Sequence, residues 1–150
     1  MTLRLLLMKD NPLIFNLRHH TDLRQTLDPQ TWTFHQKFVV EPIKKMGEFQ
    51  ERDIWTVLGI LLTNTISIPI ENGSTEVMGL FPKYAMMNHS CSHNTKTNII
   101  TDSPHAITVQ LRARKRILNG EEITTRYLPP SKGKVYQDLH LGPRHLNSVE

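Results

Sequence analysis

The sequence contains one cysteine, Cys91, among its 150 residues. A single cysteine excludes an intramolecular disulfide, and a structural zinc site needs about four ligands, usually closely spaced Cys and His. Only His89 and His93 stand close to Cys91, so we expect no complete metal site within the chain. Such sparing cysteine usage is typical of a reducing compartment, which predicts an intracellular protein of the nucleus, the cytoplasm or both.

Long apolar runs are also missing. The longest one, residues 54–62, is far shorter than the roughly 18 residues that a membrane-spanning helix requires. The N-terminal stretch MTLRLLLMKDNP has a short apolar run broken by Arg4 and no small-residue cleavage site, so it does not predict a signal peptide. We therefore expect no membrane partner.

Neither the basic nor the acidic residues form a long charged segment in the sequence. Lys and Arg total 18 against 14 acidic residues, a formal net charge of +4. This charge is modest for a nucleic-acid-binding domain, so we do not expect a nucleic-acid partner. The basic run at 112–116 is interpreted as the solvent-facing end of a strand and its turn, with an acidic peptide or a nucleic acid as the alternative ligand. With 38% hydrophobic residues, the chain has enough apolar material for one globular core. Its oligomeric state is left open.

In the first half of the sequence, apolar residues recur at helical spacing. Asp28 followed by proline is a helix-start signal, and Pro42 is expected to bend or shorten the helix that begins there. A second helix is expected to begin near Glu51 and to end between residues 63 and 66, because apolar residues recur along it at helical intervals.

The second half has the alternation of apolar and polar residues that is typical of strands. Strands are predicted over 66–70, 95–100 and 106–114, with turns at 71–74 and around Pro104. Asn119-Gly120 is a strong turn signal, and a short strand that ends at Tyr127 is expected after it. The predicted fold class is α+β, with N-terminal helices followed by short antiparallel strands.

The segment Asn88-His89-Ser90-Cys91 is unusually rich in reactive side chains. A cysteine–histidine nucleophile pair is one hypothesis, although such pairs are normally assembled by the fold rather than by adjacency in sequence. The structural alternative is a loop in which Asn88 and Ser90 satisfy backbone groups and Cys91 acts as a small core residue.

Three segments together point to a known family. The sequences TNTISI, GLFP followed by MNHSCSHN, and NGEEITTRY resemble the signature motifs of SET-domain proteins, and more narrowly those of the SMYD branch and the arthropod SMYD-like proteins. The resemblance is specific over residues 64–127. It implies half of a SET domain, a β-clip-like fold in which the Asn-His-Ser-Cys loop is threaded as a pseudoknot.

The family consists largely of S-adenosylmethionine-dependent protein-lysine methyltransferases. By position, the resemblance implies that Asn64, Asn88 and His89 contact S-adenosylmethionine and that Tyr127 lies at the methyl-transfer channel. A protein or peptide lysine would be the substrate. The cofactor brings the reactive methyl group, so the protein positions the reactants and shapes the electrostatics. Cys91 matches a zinc ligand of the family, but its cysteine partners are absent from this sequence.

The sequence departs from the family pattern in several places. His93 stands where the family has proline, and Ala85, Met86 and Met87 stand where it usually has Ser-Leu-Leu. The family's glycine-containing cofactor loop and its post-SET cysteines have no counterpart here. We therefore expect an intra-SET helical segment at 1–66, the C-terminal SET half at 67–128 and a divergent tail at 129–150. Two hypotheses remain, a methyltransferase that is incomplete in this chain and a catalytically inactive protein-interaction module.

Overall fold

The computed structural model describes residues 1–8, 10–70, 75–103 and 106–127. The chain divides into two compact units, Met1–Met86 and a second that begins at Met87. The predicted turns at 71–74 and Pro104 and the predicted tail at 129–150 lie outside the described residues, and the segment boundaries at 66 and 128 stay predictions. Among the described residues, no helix combines the length and the apolar character needed to cross a bilayer.

The first unit is mainly helical and carries one hairpin. Its helices are α1 (Thr2–Leu6), α2 (Pro12–Phe15), α3 (Thr21–Leu27), α4 (Pro29–His35), a π-helical turn (Gln36–Val40), α5 (Glu41–Lys44), α6 (Glu51–Asn64) and α7 (Pro82–Ala85). The antiparallel strands β1 (Thr65–Ile70) and β2 (Thr75–Leu80) pair between α6 and α7 in the chain, with Thr65 opposite Leu80 and Ile70 opposite Thr75.

Helix α6 supplies the centre of the hydrophobic core of the first unit. It begins with two acidic residues in its first turn, where the helix dipole favours negative charge, and it ends at Asn64, within the predicted range. Seven of its residues are buried: Ile54, Trp55, Val57, Leu58, Gly59, Ile60 and Leu61. Side chains from α1, α2, the π-helical turn and Leu17 complete the same cluster, so packing around α6 organises this unit.

The predicted helix start at Asp28 and the predicted effect of Pro42 are both confirmed. The Asp28 carboxylate accepts a hydrogen bond from the Thr31 amide at 3.1 Å, as an N-cap does. Proline has no amide hydrogen and cannot make the usual bond to the carbonyl four residues before it. Here the helix changes to a π-helical turn, in which the Glu41 amide reaches back five residues to the Gln36 carbonyl, before α5 begins.

The second unit contains two strand pairs among its described residues. Strands β4 (Thr95–Ser103) and β5 (Ala106–Ala113) form the predicted antiparallel hairpin, with Thr95 opposite Ala113. Strand β3 (Asn88–His89) pairs in parallel with β6 (Thr124–Thr125). The mixed α and β content with short antiparallel strands is confirmed. The prediction of a strand that ends at Tyr127 is wrong by two residues, because the ladder stops at Thr125.

Candidate functional site

Two segments that are 36 residues apart in sequence meet in the second unit. Asn88 lies opposite Thr124 and His89 opposite Thr125 in the parallel pair, and the Ser90 amide donates to the Thr125 carbonyl at 3.0 Å. A parallel pair requires a long connection, which the β4–β5 hairpin and the turn at Gly120 provide. The Asn-His-Ser-Cys segment and the Gly-Glu-Glu segment are thereby brought together.

Asn94 holds together the junction of segments 88–94 and 121–127, although no pattern in the sequence gives it a role. Only 3% of the residue is exposed. Its Oδ1 accepts from the Thr124 amide at 2.9 Å, and its Nδ2 donates to the Glu122 carbonyl at 2.8 Å and to Glu121 Oε1 at 3.2 Å. Its backbone carbonyl also accepts from the Arg114 amide at 2.8 Å. Asn94 is the final asparagine of MNHSCSHN, so its place at the end of the quoted motif was the available signal.

The His89 ring is positioned by contacts on both of its nitrogens. Nδ1 accepts a hydrogen bond from the Tyr127 amide at 3.1 Å, so the neutral ring carries its proton on Nε2. Nε2 lies 3.5 Å from the Cys91 sulfur. The rings of His89 and Tyr127 are also in contact, with centroids 5.5 Å apart and planes inclined by 51°. His89 therefore joins the loop to Tyr127 in the segment after β6.

Tyr127 is held at both its backbone and its hydroxyl group. The Tyr127 backbone amide donates a hydrogen bond to His89 Nδ1. Its phenolic hydroxyl donates a short hydrogen bond to the Met87 carbonyl. A phenol has one proton to donate and can also accept. Because that proton is used on Met87, any additional hydrogen bond at this oxygen has the tyrosine as acceptor. The residue remains 38% exposed.

Asn88 and the two glutamates after Gly120 form the polar side of the junction. Asn88 is exposed, and its Nδ2 donates to Glu122 Oε1 at 2.5 Å. The pKa of Glu121 is lowered, first by a hydrogen bond from the Leu118 amide and next by one from the Asn94 side chain. These bonds give both glutamates a structural role in the turn and its framework.

Cys91 is an exposed free thiol. Its carbonyl accepts from Arg126 Nη2 at 3.1 Å, so the loop is tied to the segment after β6 a second time. Within the described residues, no group of three or more His, Cys, Asp or Glu side chains could hold a metal ion. The thiol contacts His89. The expectation that Cys91 packs as a small core residue is wrong, because its side chain is exposed to solvent.

His93, which stands where the SET pattern has proline, is bonded into the loop. Its amide donates to the Ser90 carbonyl at 3.2 Å, a bond that proline could not make. Its Nε2 lies 2.8 Å from Arg114 Nη1 and accepts from that guanidinium. The substitution therefore replaces a fixed φ angle with two hydrogen bonds.

Asn64 belongs to the first unit, where it is the last residue of α6. Its Nδ2 donates to the Arg18 carbonyl at 2.7 Å and to the Ile60 carbonyl at 2.8 Å. One bond closes the last turn of α6, and the other ties that turn to the segment before α3. These contacts give Asn64 a structural role at the end of α6, next to the C-cap Thr65.

Comparison with known proteins gives a direct answer on the family. A family model of the SET domain matches residues 10–128, most of the chain. This chain belongs to the SET-domain family. The SET-domain chain is 32% identical over 90 residues to SET domain-containing protein SmydA-8, isoform A, of Drosophila melanogaster, covering 59% of this chain and 19% of that protein. It is 30% identical over 108 residues to the histone-lysine N-methyltransferase SMYD3 of Mus musculus and of Homo sapiens, covering 71% of this chain and 24% of each relative.

The predicted resemblance to the SMYD branch is thereby confirmed. The SET-domain chain spans only about a fifth to a quarter of the length of these relatives. No solved structure was found that matches it.

Proposed function

We propose that the second unit supplies part of the active site of an S-adenosylmethionine-dependent protein-lysine methyltransferase. The observation that carries the proposal is the joining of Asn88, His89 and Tyr127 through the β3–β6 pair and the bond from the Tyr127 amide to His89 Nδ1. We further propose that residues 88–91 form the threaded loop of the family. The ties from Ser90 to Thr125 and from Arg126 to Cys91 support this arrangement.

The contacts of Asn88 and His89 suit different roles. Asn88 is exposed, and its Nδ2 donates a hydrogen bond to Glu122. Its Oδ1 is an acceptor of the kind that an adenine amino group requires. The His89 ring is engaged by Tyr127 and Cys91, so we assign that ring to positioning and expect its backbone to make any cofactor contact. Asn64 stays a proposed cofactor contact of the first unit, through Oδ1.

Tyr127 suits the amine end of the site. A lysine amine has a reference pKa near 10.4 and must be neutral to attack, and an apolar channel favours its neutral form. The Tyr127 hydroxyl donates to Met87, so its oxygen acts as an acceptor that can orient the amine hydrogens. Bound S-adenosylmethionine would supply an electrophilic methyl group, and the protein would contribute orientation and a fixed dipole.

The test is a chimera, because the relatives extend well beyond this chain. Residues 64–127 replace the matching segment of the mouse histone-lysine N-methyltransferase, and methyl transfer to a histone peptide is measured. We expect turnover, and we expect Tyr127→Phe to reduce it by about 10²-fold or more. Tyr84→Phe in α7 of the first unit is the matched control and should leave turnover unchanged.

Melting curves separate a catalytic tyrosine from a structural one. Tyr127→Phe loses one hydrogen bond to Met87, worth about 0.5–1.5 kcal/mol, so folding should survive. Lost turnover with a collapsed melting temperature would make the tyrosine structural. A folded chimera without turnover would favour the interaction module instead.

The 150-residue chain by itself should bind S-adenosylmethionine weakly or not at all, since the glycine-containing cofactor loop of the family has no counterpart in its sequence. Calorimetry showing micromolar affinity, about −8 kcal/mol, would contradict this expectation. A protein lysine as substrate and an intracellular setting, nuclear or cytoplasmic, complete the proposal.

A further inference from the structure

The first unit contains a cavity of about 550 Å³ that the proposed methyl transfer does not use. Phe15, Trp32 and Trp55 line it together with Asp22 and Asp53. Its volume falls within the range of roughly 300–1,000 Å³ that is typical of small-ligand sites. Aromatic rings beside carboxylates suit a ligand that is positively charged and has an apolar surface.

The aromatic lining is held rigidly. The indole rings of Trp32 and Trp55 are stacked, with centroids 3.4 Å apart and planes inclined by only 5°. Trp55 is 8% exposed, and its Nε1 donates to Gln36 Oε1 at 3.1 Å. Trp32 and Phe15 are half-buried, so both retain surface for a ligand. Because Trp55 covers one face of Trp32, a contact between a cation and the Trp32 ring requires its other face.

A second wall of the cavity comes from the start of α3 and the residues just before it. The Thr21 hydroxyl donates to the Trp55 carbonyl at 3.3 Å and lies 2.8 Å from His19 Nδ1. Gly59 permits this approach, because a Cβ at that position would lie 2.5 Å from the His19 carbonyl oxygen. These contacts hold one side of the cavity in place, and a site that needs little rearrangement lowers the cost of binding.

Charge determines which ligand fits. Asp22 and Asp53 lie in the first turns of α3 and α6, where the helix dipoles favour carboxylates, so their placement has a structural reason as well. Arg52 also lines the cavity, but its Nε is 4.0 Å from Asp53 Oδ1 and its side chain is 88% exposed. A solvent-exposed contact of that length is weak and leaves the carboxylate available.

Methylation of an ammonium group makes it suit such a site. A plain ammonium is strongly hydrated and needs hydrogen-bond acceptors, whereas methyl groups replace N–H donors with apolar surface while the charge remains. Aromatic faces attract that charge and contact the methyl groups. We propose that this cavity binds a methylated ammonium group, the chemistry shared by a methylated lysine side chain and free quaternary amines. The proposal does not depend on methyl transfer by the second unit.

The two tryptophans of the chain both line the cavity, so intrinsic fluorescence reports binding directly. The full chain is titrated with choline and with its neutral isostere 3,3-dimethyl-1-butanol. We expect a saturable change with choline and at least about fivefold weaker binding of the isostere, because only choline carries the charge. A trimethyl-lysine peptide and its unmodified counterpart identify the source of the ligand. If the methylated peptide binds more tightly than choline, the ligand is a protein side chain. If the methylated peptide and choline bind equally, the ligand is a free amine.

Variants test the two halves of the site. The double variant Asp22→Asn and Asp53→Asn retains both tryptophans and should weaken choline binding about fivefold or more, without affecting the isostere. Trp32→Leu should weaken choline binding further. Phe34→Leu, on the same helix but outside this cavity, should leave choline binding unchanged. Equal affinity for choline and the isostere, undiminished binding in the carboxylate variant, or no saturable change at millimolar choline would each overturn the proposal.

Discussion

Replacing Asn94 with aspartate should loosen the junction of the second unit. The change keeps the size of the side chain and the acceptor that faces the Thr124 amide. It converts the amide nitrogen, which donates to the Glu122 carbonyl and to Glu121 Oε1, into an oxygen that repels both. Because Asn94 is 3% exposed, water cannot easily replace these bonds.

The magnitude follows from the contacts. Two lost hydrogen bonds are worth about 1–3 kcal/mol together, and the unsatisfied Glu122 carbonyl and the repulsion from Glu121 add to that cost. The local free energy of opening should fall by about 2 kcal/mol or more. The introduced carboxyl can be protonated and then donates again, so the defect of Asn94→Asp should shrink as the pH is lowered.

Hydrogen exchange followed by mass spectrometry measures the effect. The Thr124 and Tyr127 amides depend on this junction, and a loss of about 2 kcal/mol makes them exchange about thirtyfold faster. Asn98→Asp on β4 is the matched control, since it makes the same chemical change opposite Gln110 in the hairpin. Unchanged exchange at Thr124 and Tyr127 in Asn94→Asp, or equal acceleration in Asn98→Asp, would refute the reasoning.

Three other predictions can be checked by simple measurements. Gly59→Ala should lower the free energy of unfolding of the first unit by about 1–3 kcal/mol, because the new Cβ meets the His19 backbone; unchanged tryptophan-fluorescence denaturation curves would contradict this. Hydrogen bonds from Thr31 lower the pKa of Asp28 in the folded protein. The ionised carboxylate therefore contributes to the free energy of unfolding above the unfolded pKa near 3.9, and this contribution is lost as the pH falls through the folded pKa. Asp28→Asn keeps the cap and should lose less stability over that acid range in pH-dependent melting; equal losses would count against the argument. Purified protein should contain no stoichiometric zinc by elemental analysis, and one zinc per chain that disappears in Cys91→Ser would be the contrary result.

Local elements were predictable because their causes lie within a few residues. The cap at Asp28, the interruption by Pro42 and the end of α6 each follow from side chains inside or next to the helix that they shape. The β4–β5 hairpin follows from alternation on both sides of a turn. The family also followed from sequence, since its motifs are short and contiguous.

Residue roles at the junction were predictable only in part. The motifs named Asn88, His89 and Tyr127 as site residues, and that assignment stays a prediction. The sequence assigned no role to Asn94, whose contacts all lie 20 to 30 positions away in the chain. Spacing and periodicity carry no information on such partners, because they describe neighbours within a strand or a helical turn.

The sequence by itself therefore determined the α+β class, the helices α4 and α6, the β4–β5 hairpin, and the family of this chain. Only the tertiary structure decided the parallel pairing of β3 with β6, the bond of the Tyr127 hydroxyl to Met87, and the aromatic cavity of the first unit. Each of these joins segments that are distant in sequence. Their geometry depends on how buried polar groups find partners and how side chains fill space, which is settled when the whole unit packs.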